Sequence, residues 1–284
     1  MTAENSQTQA KQSPTIYLRP SKGWLSIDFK ELWRYRELIF FLTWRDIKVR
    51  YKQAVLGIAW AILQPLLTTL IFTVIFGVLL GTPSQDLPYP LFSLTALLPW
   101  QLFSTALQRS SVSLVGNANL ITKIYFPRLA IPLSSVFAAL VDFGVSFGVL
   151  LLVMAYYRYW PGWNILWLLP IVLLALLTAL AVGLWLSALN VQYRDIQHMV
   201  PFLIQVWMYA SPIVYPIDTI PEGLWRSLYG LNPMVGVIQG FRWALLGADP
   251  PDITMAISVI VVLVLLISGL YYFRRMEKTF ADIV

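Results

Sequence analysis

Between Gln53 and Gln85 the chain has no Lys, Arg, Asp or Glu, while Arg45, Lys48, Arg50 and Lys52 crowd four positive charges just ahead of that stretch. A hydrocarbon layer about 30 Å thick needs roughly 20 apolar helical residues to cross it, at about 1.5 Å each. A dense basic edge marks the side from which such a segment enters. This boundary therefore reads as a membrane surface followed by a span. The rest of the chain agrees: 58% of its 284 residues are hydrophobic, 12% are charged and the mean hydropathy is +0.69, far from a soluble average. Backbone polar groups in lipid must be satisfied internally, and segments of this length do so as helices. The expected fold class is all-α, a polytopic membrane protein.

Six segments are long and apolar enough to be spans, near 54–80, 88–108, 130–157, 164–189, 198–216 and 253–273. Pro65, Pro99, Pro170, Pro201 and Pro212 interrupt several of them, which predicts kinks or late starts. Residues 1–27 are read as a disordered or extended tail. Residues 28–52 are read as an amphipathic, basic interface helix region, with capping pairs Asp28–Glu31 and Thr43–Asp46. Within it Trp44, Ile47 and Tyr51 share one helical row, and Arg45, Lys48 and Lys52 share another. Residues 53–284 form the transmembrane domain. No apolar run resembling a signal peptide occurs in the first 25 residues, so none is expected.

Orientation follows from the Lys and Arg count. Placing the N-terminus inside puts 17 of 20 on the cytoplasmic side: ten in residues 1–52, then Arg109, Lys123, Arg128, Arg194, Arg274, Arg275 and Lys278. Arg158, Arg226 and Arg242 fall outside, with Asp86, Asp218, Glu222, Asp249 and Asp252. The net charge of +6 is thereby explained by topology, and no nucleic-acid partner is expected. The connection 109–132 reads as a semi-apolar loop with a short helix starting at Asn117 or Asn119 and ending before Phe126-Pro127. Between the last two spans, 212–252 is too apolar for a free loop and too broken for one span. It reads as two short re-entrant or interfacial helices with Pro221 and Pro233 near their starts.

Chemistry-bearing residues are few. The chain has no cysteine, one histidine (His198), and no Gly-Lys dipeptide, so a phosphate-cradling GxxxxGK[ST] loop is missing. No catalytic, cofactor or metal site is expected, and nucleotide energy has to come from another subunit. Asp142 stands alone as an acid deep in a span, which invites a proton-relay role; set against that is bonding to Ser134, Ser135 or Ser146 or facing the bundle interior, the expectation adopted because no further acids or histidines lie deep in other spans. Most of the 12 Trp, 14 Tyr and 15 Phe fit interface belts and packing. Trp60, Phe72, Phe76, Trp100, Phe103, Trp207 and Tyr209 lie mid-span, where rings could form a carbohydrate track or simply pack.

Four stretches together resemble a known family: RDIKVRYKQAVLGIAWAILQP (45–65), NANLITKIYFPRLAIPL (117–133), NVQYRDIQHMV (190–200), and SPIVYP (211–216) with LNPMVGVIQGFRWALLG (231–247). They are similar to the permease subunits of ABC-2 type exporters for surface polysaccharides, meaning O-antigen, capsule and teichoic acid exporters. The resemblance implies a homodimeric pore in the inner (cytoplasmic) membrane that works with two copies of a P-loop ATPase. ATP and Mg would sit on that ATPase, and the cargo would be a lipid-linked glycan. It further implies that Asn117, Asn119, Leu120, Ile121, Thr122, Lys123, Tyr125, Phe126 and Arg128 form a coupling region, with Arg194 and Asp195 at a second contact. Spans 1, 2 and 5 would line the path. The basic face of Arg45, Lys48, Arg50 and Lys52 has two candidate tasks, fixing topology and receiving a substrate pyrophosphate at the cytoplasmic entrance. Alternatives that stay open are an ABC-2 exporter of a drug, haem or lipid, and an ion-coupled secondary transporter.

Overall fold

The computed structural model describes residues 29–52, 57–277 and 279–280. The expected tail, the Asp28 cap, the start of the first span and Lys278 lie outside the described residues. The described chain is helical, and its helices are α1 (Phe29–Arg34), α2 (Arg36–Lys52), α3 (Gly57–Phe72), α4 (Tyr89–Gly116), α5 (Ala118–Lys123), α6 (Ala130–Tyr156), α7 (Leu168–Gln192), α8 (Ile196–Tyr209), α9 (Leu224–Tyr229), α10 (Pro233–Leu246) and α11 (Ile253–Glu277). A π-helical stretch, Thr73–Leu79, prolongs α3, and a 3₁₀ turn, Trp163–Trp167, leads into α7.

Four continuous helical stretches are long and apolar enough to cross a membrane: Ala59–Leu79, Ala130–Tyr156, Trp163–Gln192 and Ile253–Glu277. The protein is thus a multi-pass membrane protein. The expected second and fifth spans take other forms. The second, α4, has 28 residues and is long enough at about 42 Å, but its last turns carry Arg109 and a run of serines. The fifth, α8, has 14 residues and reaches only about 21 Å before the chain turns at Ala210.

The bundle is built around α4, which is buried along nearly all its length from Tyr89 to Leu114. It packs mainly against α6 and α7, with α11 on the far side of α7. Close approach depends on small residues. A Cβ on Gly183 of α7 would lie 2.5 Å from Ser110 Oγ of α4, and one on Gly269 of α11 would lie 2.7 Å from the Ala181 carbonyl. Without a hydrophobic drive between helices in lipid, contacts of this kind hold a membrane bundle together.

Two expectations about the N-terminal region change. Thr43 does not start a helix, because α2 runs through it and its hydroxyl donates to the Ile39 carbonyl at 2.8 Å. Nor is α2 amphipathic with one apolar face: Leu42 is buried, whereas Phe40, Phe41, Trp44 and Val49 are exposed among Arg36, Glu37 and Lys48. The helix packs one side on α6 and still presents apolar side chains outward, so apolar residues occupy more than one face. The 109–132 loop is also shorter than expected. Residues 109–116 continue α4, so Arg109 belongs to a helix and not to a loop, and only α5 interrupts what remains.

The segment between α8 and α11 forms two short helices, α9 and α10, as expected. Pro233 is the first residue of α10, and Asn232 caps it by accepting from Met234 N at 3.0 Å. Within α10, Arg242 is almost fully enclosed. Its Nη2 donates to the Ile213 carbonyl at 2.9 Å, and its guanidinium lies 3.6 Å from the centre of the Phe92 ring. Arg242 therefore pins α10 to α4 and to the turn after α8, a packing role that its position in an outer segment did not suggest.

Candidate functional site: a charged cavity beside the basic pole

Helix direction gathers α2, α5, the C-terminal ends of α4, α7 and α11, and the N-terminal ends of α6 and α8 at one pole, which is basic. That pole has its own apolar cluster, in which Leu42 of α2, Leu114 of α4, Ile121 of α5, Phe126, Leu184 of α7 and Phe273 of α11 are buried together. The chain after α5 is thus anchored by Ile121 and Phe126. Asn119, Thr122, Lys123, Ile124 and Tyr125 remain exposed, and Leu120 is half-buried. Asn117 is held twice: its Nδ2 donates to the Ser113 carbonyl at 2.8 Å and its Oδ1 accepts from Arg45 at 2.8 Å. The Arg128 backbone N–H donates to Glu277 Oε1 at 3.3 Å, which ties the segment to the end of α11. Arg194 and Asp195 are exposed between α7 and α8, with no ion pair between them.

Arg45 also pairs with Asp46 of its own helix at 2.7 Å, and its bond to Asn117 fastens α2 directly to the residue that precedes α5. One turn further on, α2 is fastened a second time. Arg50 forms an ion pair with Asp142 of α6, Tyr51 Oη donates to the same carboxylate, and Arg109 Nη2 of α4 reaches it at 3.2 Å. Asp142 therefore finds two guanidiniums and a phenol, not the serines expected for it. Ser134 and Ser146 donate elsewhere, to the carbonyls of Ile131 and Ala61. Burial lowers the pKa of Arg50, which Tyr51 partly opposes, and the guanidinium remains a cation at neutral pH. Of the four basic residues at the edge, Arg45 and Arg50 are engaged in this way. Lys48 and Lys52 are exposed and have no ion-pair partner among the described residues.

Arg50, Tyr51 and Asp142 form one wall of a cavity of about 390 Å³ between α2, α3, α4 and α6, with Arg109 behind Asp142. Trp60 and Gln64 of α3, Gln101 and Thr105 of α4, and Phe143 of α6 line the remainder. Its size falls in the range of small-molecule sites, about 300–1,000 Å³. The mid-span aromatics divide between this surface and the core. Trp60 is 52% exposed and faces the cavity, and Tyr209 is exposed at the end of α8. Phe72 and Phe76 meet edge to face at 5.6 Å. Trp100 and Phe103 are buried; Phe103 packs on Trp207 at 5.0 Å, and the Trp207 indole N–H donates to Asn232 at 2.8 Å.

Arg109 of the cluster, and Gln64 and Gln101 of the cavity, are the residues that the sequence reading missed. A signal for the first was present: a lone acid in a span calls for a cation on a neighbouring helix, and Arg109 sits near the end of the preceding antiparallel one.

Comparison with known proteins now places the architecture. The family model described as "ABC-2 type transporter" matches residues 37–246. The chain belongs to the ABC-2 type transporter family. Among similar proteins, the O-antigen export system permease protein RfbA of Myxococcus xanthus is 35% identical over 254 residues, covering 87% of this chain and 96% of the relative. The protein of the same name from Klebsiella pneumoniae is 32% identical, covering 87% and 95%. The polysialic acid transport protein KpsM of Escherichia coli is 28% identical, covering 82% and 91%. The matched region of this ABC-2 chain contains α2 but for its first residue, α5, the Asp142 cluster and the cavity.

Proposed function

We propose that this ABC-2 chain is the membrane-spanning permease subunit of an ABC exporter that moves a lipid-linked surface polysaccharide, O-antigen first, out across the cytoplasmic membrane. The observation that carries the reading is the near full-length similarity to two O-antigen export permeases, supported by a polysialic acid transport protein. The chain has no phosphate-binding loop, so a separate P-loop ATPase, two copies per homodimer, supplies the energy and holds ATP and Mg.

In this reading the chain crosses the membrane six times with both ends inside, α4 and α8 supplying the second and fifth passages. The basic pole then faces the cytoplasm, as the Lys and Arg count requires. The exposed apolar residues of α3 (Leu63, Leu67, Leu70) and α8 (Phe202, Leu203, Val206) are surfaces for a second copy and for lipid, and the export path runs between the two copies. Trp60 and Tyr209 are the ring faces available to it, because Trp100 and Phe103 are committed to packing. ATP-driven closure of the ATPases pushes on α5. Arg45 and the buried Ile121 and Phe126 pass that push to α2 and the bundle.

Docking on the ATPase falls to the exposed Asn119, Thr122, Lys123 and Tyr125, with Arg194 and Asp195 as the second contact. Lys123→Glu combined with Tyr125→Asp is expected to leave the chain folded and membrane-inserted while ATP hydrolysis no longer drives export. Normal export by that double variant would refute the docking assignment. For the function itself, deletion of the gene should remove the surface glycan while its lipid-linked precursor accumulates in the cytoplasm, and the native chain should restore it. A surface glycan unchanged by the deletion would end the export reading.

A further inference from the structure

The cavity holds polar groups that the fold does not use. Tyr51 and Ser146 are satisfied within the protein, the one by Asp142 and the other by the Ala61 carbonyl at 3.0 Å. The side-chain amides of Gln64 and Gln101 have no hydrogen-bond partner among the described residues, although both line the cavity. An amide inside a membrane segment is costly unless something polar meets it. The charge is also unbalanced, since two guanidiniums share the one carboxylate of Asp142. The Arg50 side chain keeps 38% of its surface exposed. It can turn toward a second anion while Arg109 holds Asp142. The indole of Trp60 supplies a flat apolar face on the same wall.

Two amides, a ring face and a spare cation form a donor set for one class of ligand. We propose that this cavity is a subsite for a lipid-linked sugar phosphate, with the sugar ring on Trp60, its hydroxyls on Gln64 and Gln101, and the phosphate on Arg50. The proposal rests on the reading that the cargo is a lipid-linked glycan. A bare lipid phosphate would leave both amides unpaired, and a neutral sugar would leave the excess positive charge unanswered. The site also connects to the rest of the basic pole. Arg50 pairs with Asp142, so a phosphate that draws Arg50 away loosens one of the two points that fasten α2, while Arg45–Asn117 keeps the other.

The test uses the purified full-length chain in lipid nanodiscs and three probes: a polyprenyl diphosphate bearing one N-acetylhexosamine, the same lipid without the sugar, and the free sugar 1-phosphate. The native chain should bind the sugar-bearing lipid about tenfold more tightly than the bare lipid, and the free sugar phosphate should displace it. Gln64→Leu with Gln101→Leu, which removes polar groups without burdening the membrane helices, should abolish the preference while leaving bare-lipid binding unchanged. Arg50→Gln should weaken both lipids about tenfold. Equal binding of both lipids by the native chain, failure of the sugar phosphate to compete, or an intact preference in the double Leu variant would each overturn the subsite. In cells the two readings separate: full complementation of the deletion by the double Leu variant removes the subsite and leaves export standing, whereas a deletion that does not alter the surface glycan removes the export reading itself.

Discussion

Arg242 and the Arg50–Arg109 pair are all cations within an apolar bundle, and the protein treats them in opposite ways. Arg242 is enclosed with no acid beside it, held by the Ile213 carbonyl at 2.9 Å, a longer contact to the Phe92 carbonyl at 3.5 Å, and the Phe92 ring. Its partners are rigid backbone and ring, so it serves as a fixed staple. Arg50 and Arg109 share a carboxylate that keeps 20% of its surface exposed, and that carboxylate and Arg50 border an open cavity. Their charge is neutralised only in part and can answer to something that enters. A buried cation surrounded by dipoles stabilises one arrangement. A cation held by a shared, accessible anion can exchange partners.

Removing the shared anion should have the largest effect on stability. Asp142→Ala leaves two guanidiniums facing each other, and a loss of about 3 kcal/mol is expected, at the low end for buried pairs because the site is partly open. Unfolding by heat in lipid nanodiscs measures this, and Arg50→Gln added to Asp142→Ala should recover part of it by removing the repulsion. Arg242→Met should cost less, about 1–3 kcal/mol, because the Ile213 carbonyl loses its donor while a desolvated charge is removed at the same time. If Arg242→Met proved more harmful than Asp142→Ala, the contrast between staple and exchangeable pair would be reversed.

Smaller again is Asn232→Ala, expected to cost about 1 kcal/mol for the lost cap of α10, with a change in Trp207 fluorescence as its indole loses an acceptor. The smallest effect is at the acidic cluster opposite the basic pole, where Arg226 gathers Asp218, Glu222 and Asp252 at 2.9, 3.4 and 3.0 Å. Burial raises the Asp252 pKa, but the Thr254 hydroxyl and N–H together with Arg226 outweigh it and hold the carboxyl below its usual value. A carboxyl depressed in the folded state adds stability above its unfolded pKa and loses it as pH falls through the folded value. Melting temperatures should accordingly decline in that acidic window, and Asp252→Asn should flatten the decline.

Much of the fold was legible because it follows from local rules. The uncharged run after Lys52 gave α3, Pro233 gave the start of α10, and the pattern at 117–126 gave α5. The reading failed where the answer depended on a partner far along the chain. Asp142 was assigned serines within eight residues, yet its partners are Arg50, Tyr51 and Arg109, up to 92 residues away. Arg109 was assigned to a loop because charge and serines end an apolar window, although burial against α7 carries the helix on to Gly116. For Trp100 and Phe103 the choice between path and packing stayed open, because spacing reports a face but not what that face meets; both are buried.

By itself, then, the sequence determined that the chain is built of apolar helices, four of them long enough to cross a membrane, which pole is basic and which family the chain resembles. Transfer energies and charge asymmetry are sums over residues and need no knowledge of neighbours. Only the tertiary structure decided that α4 is the enclosed centre, that α2 is fastened at Arg45 and Arg50, and that two amides and a surplus cation share one cavity with Trp60. Those outcomes are set by helix contacts between residues distant in the chain, and close packing at Gly183 and Gly269 fixes which side chains meet.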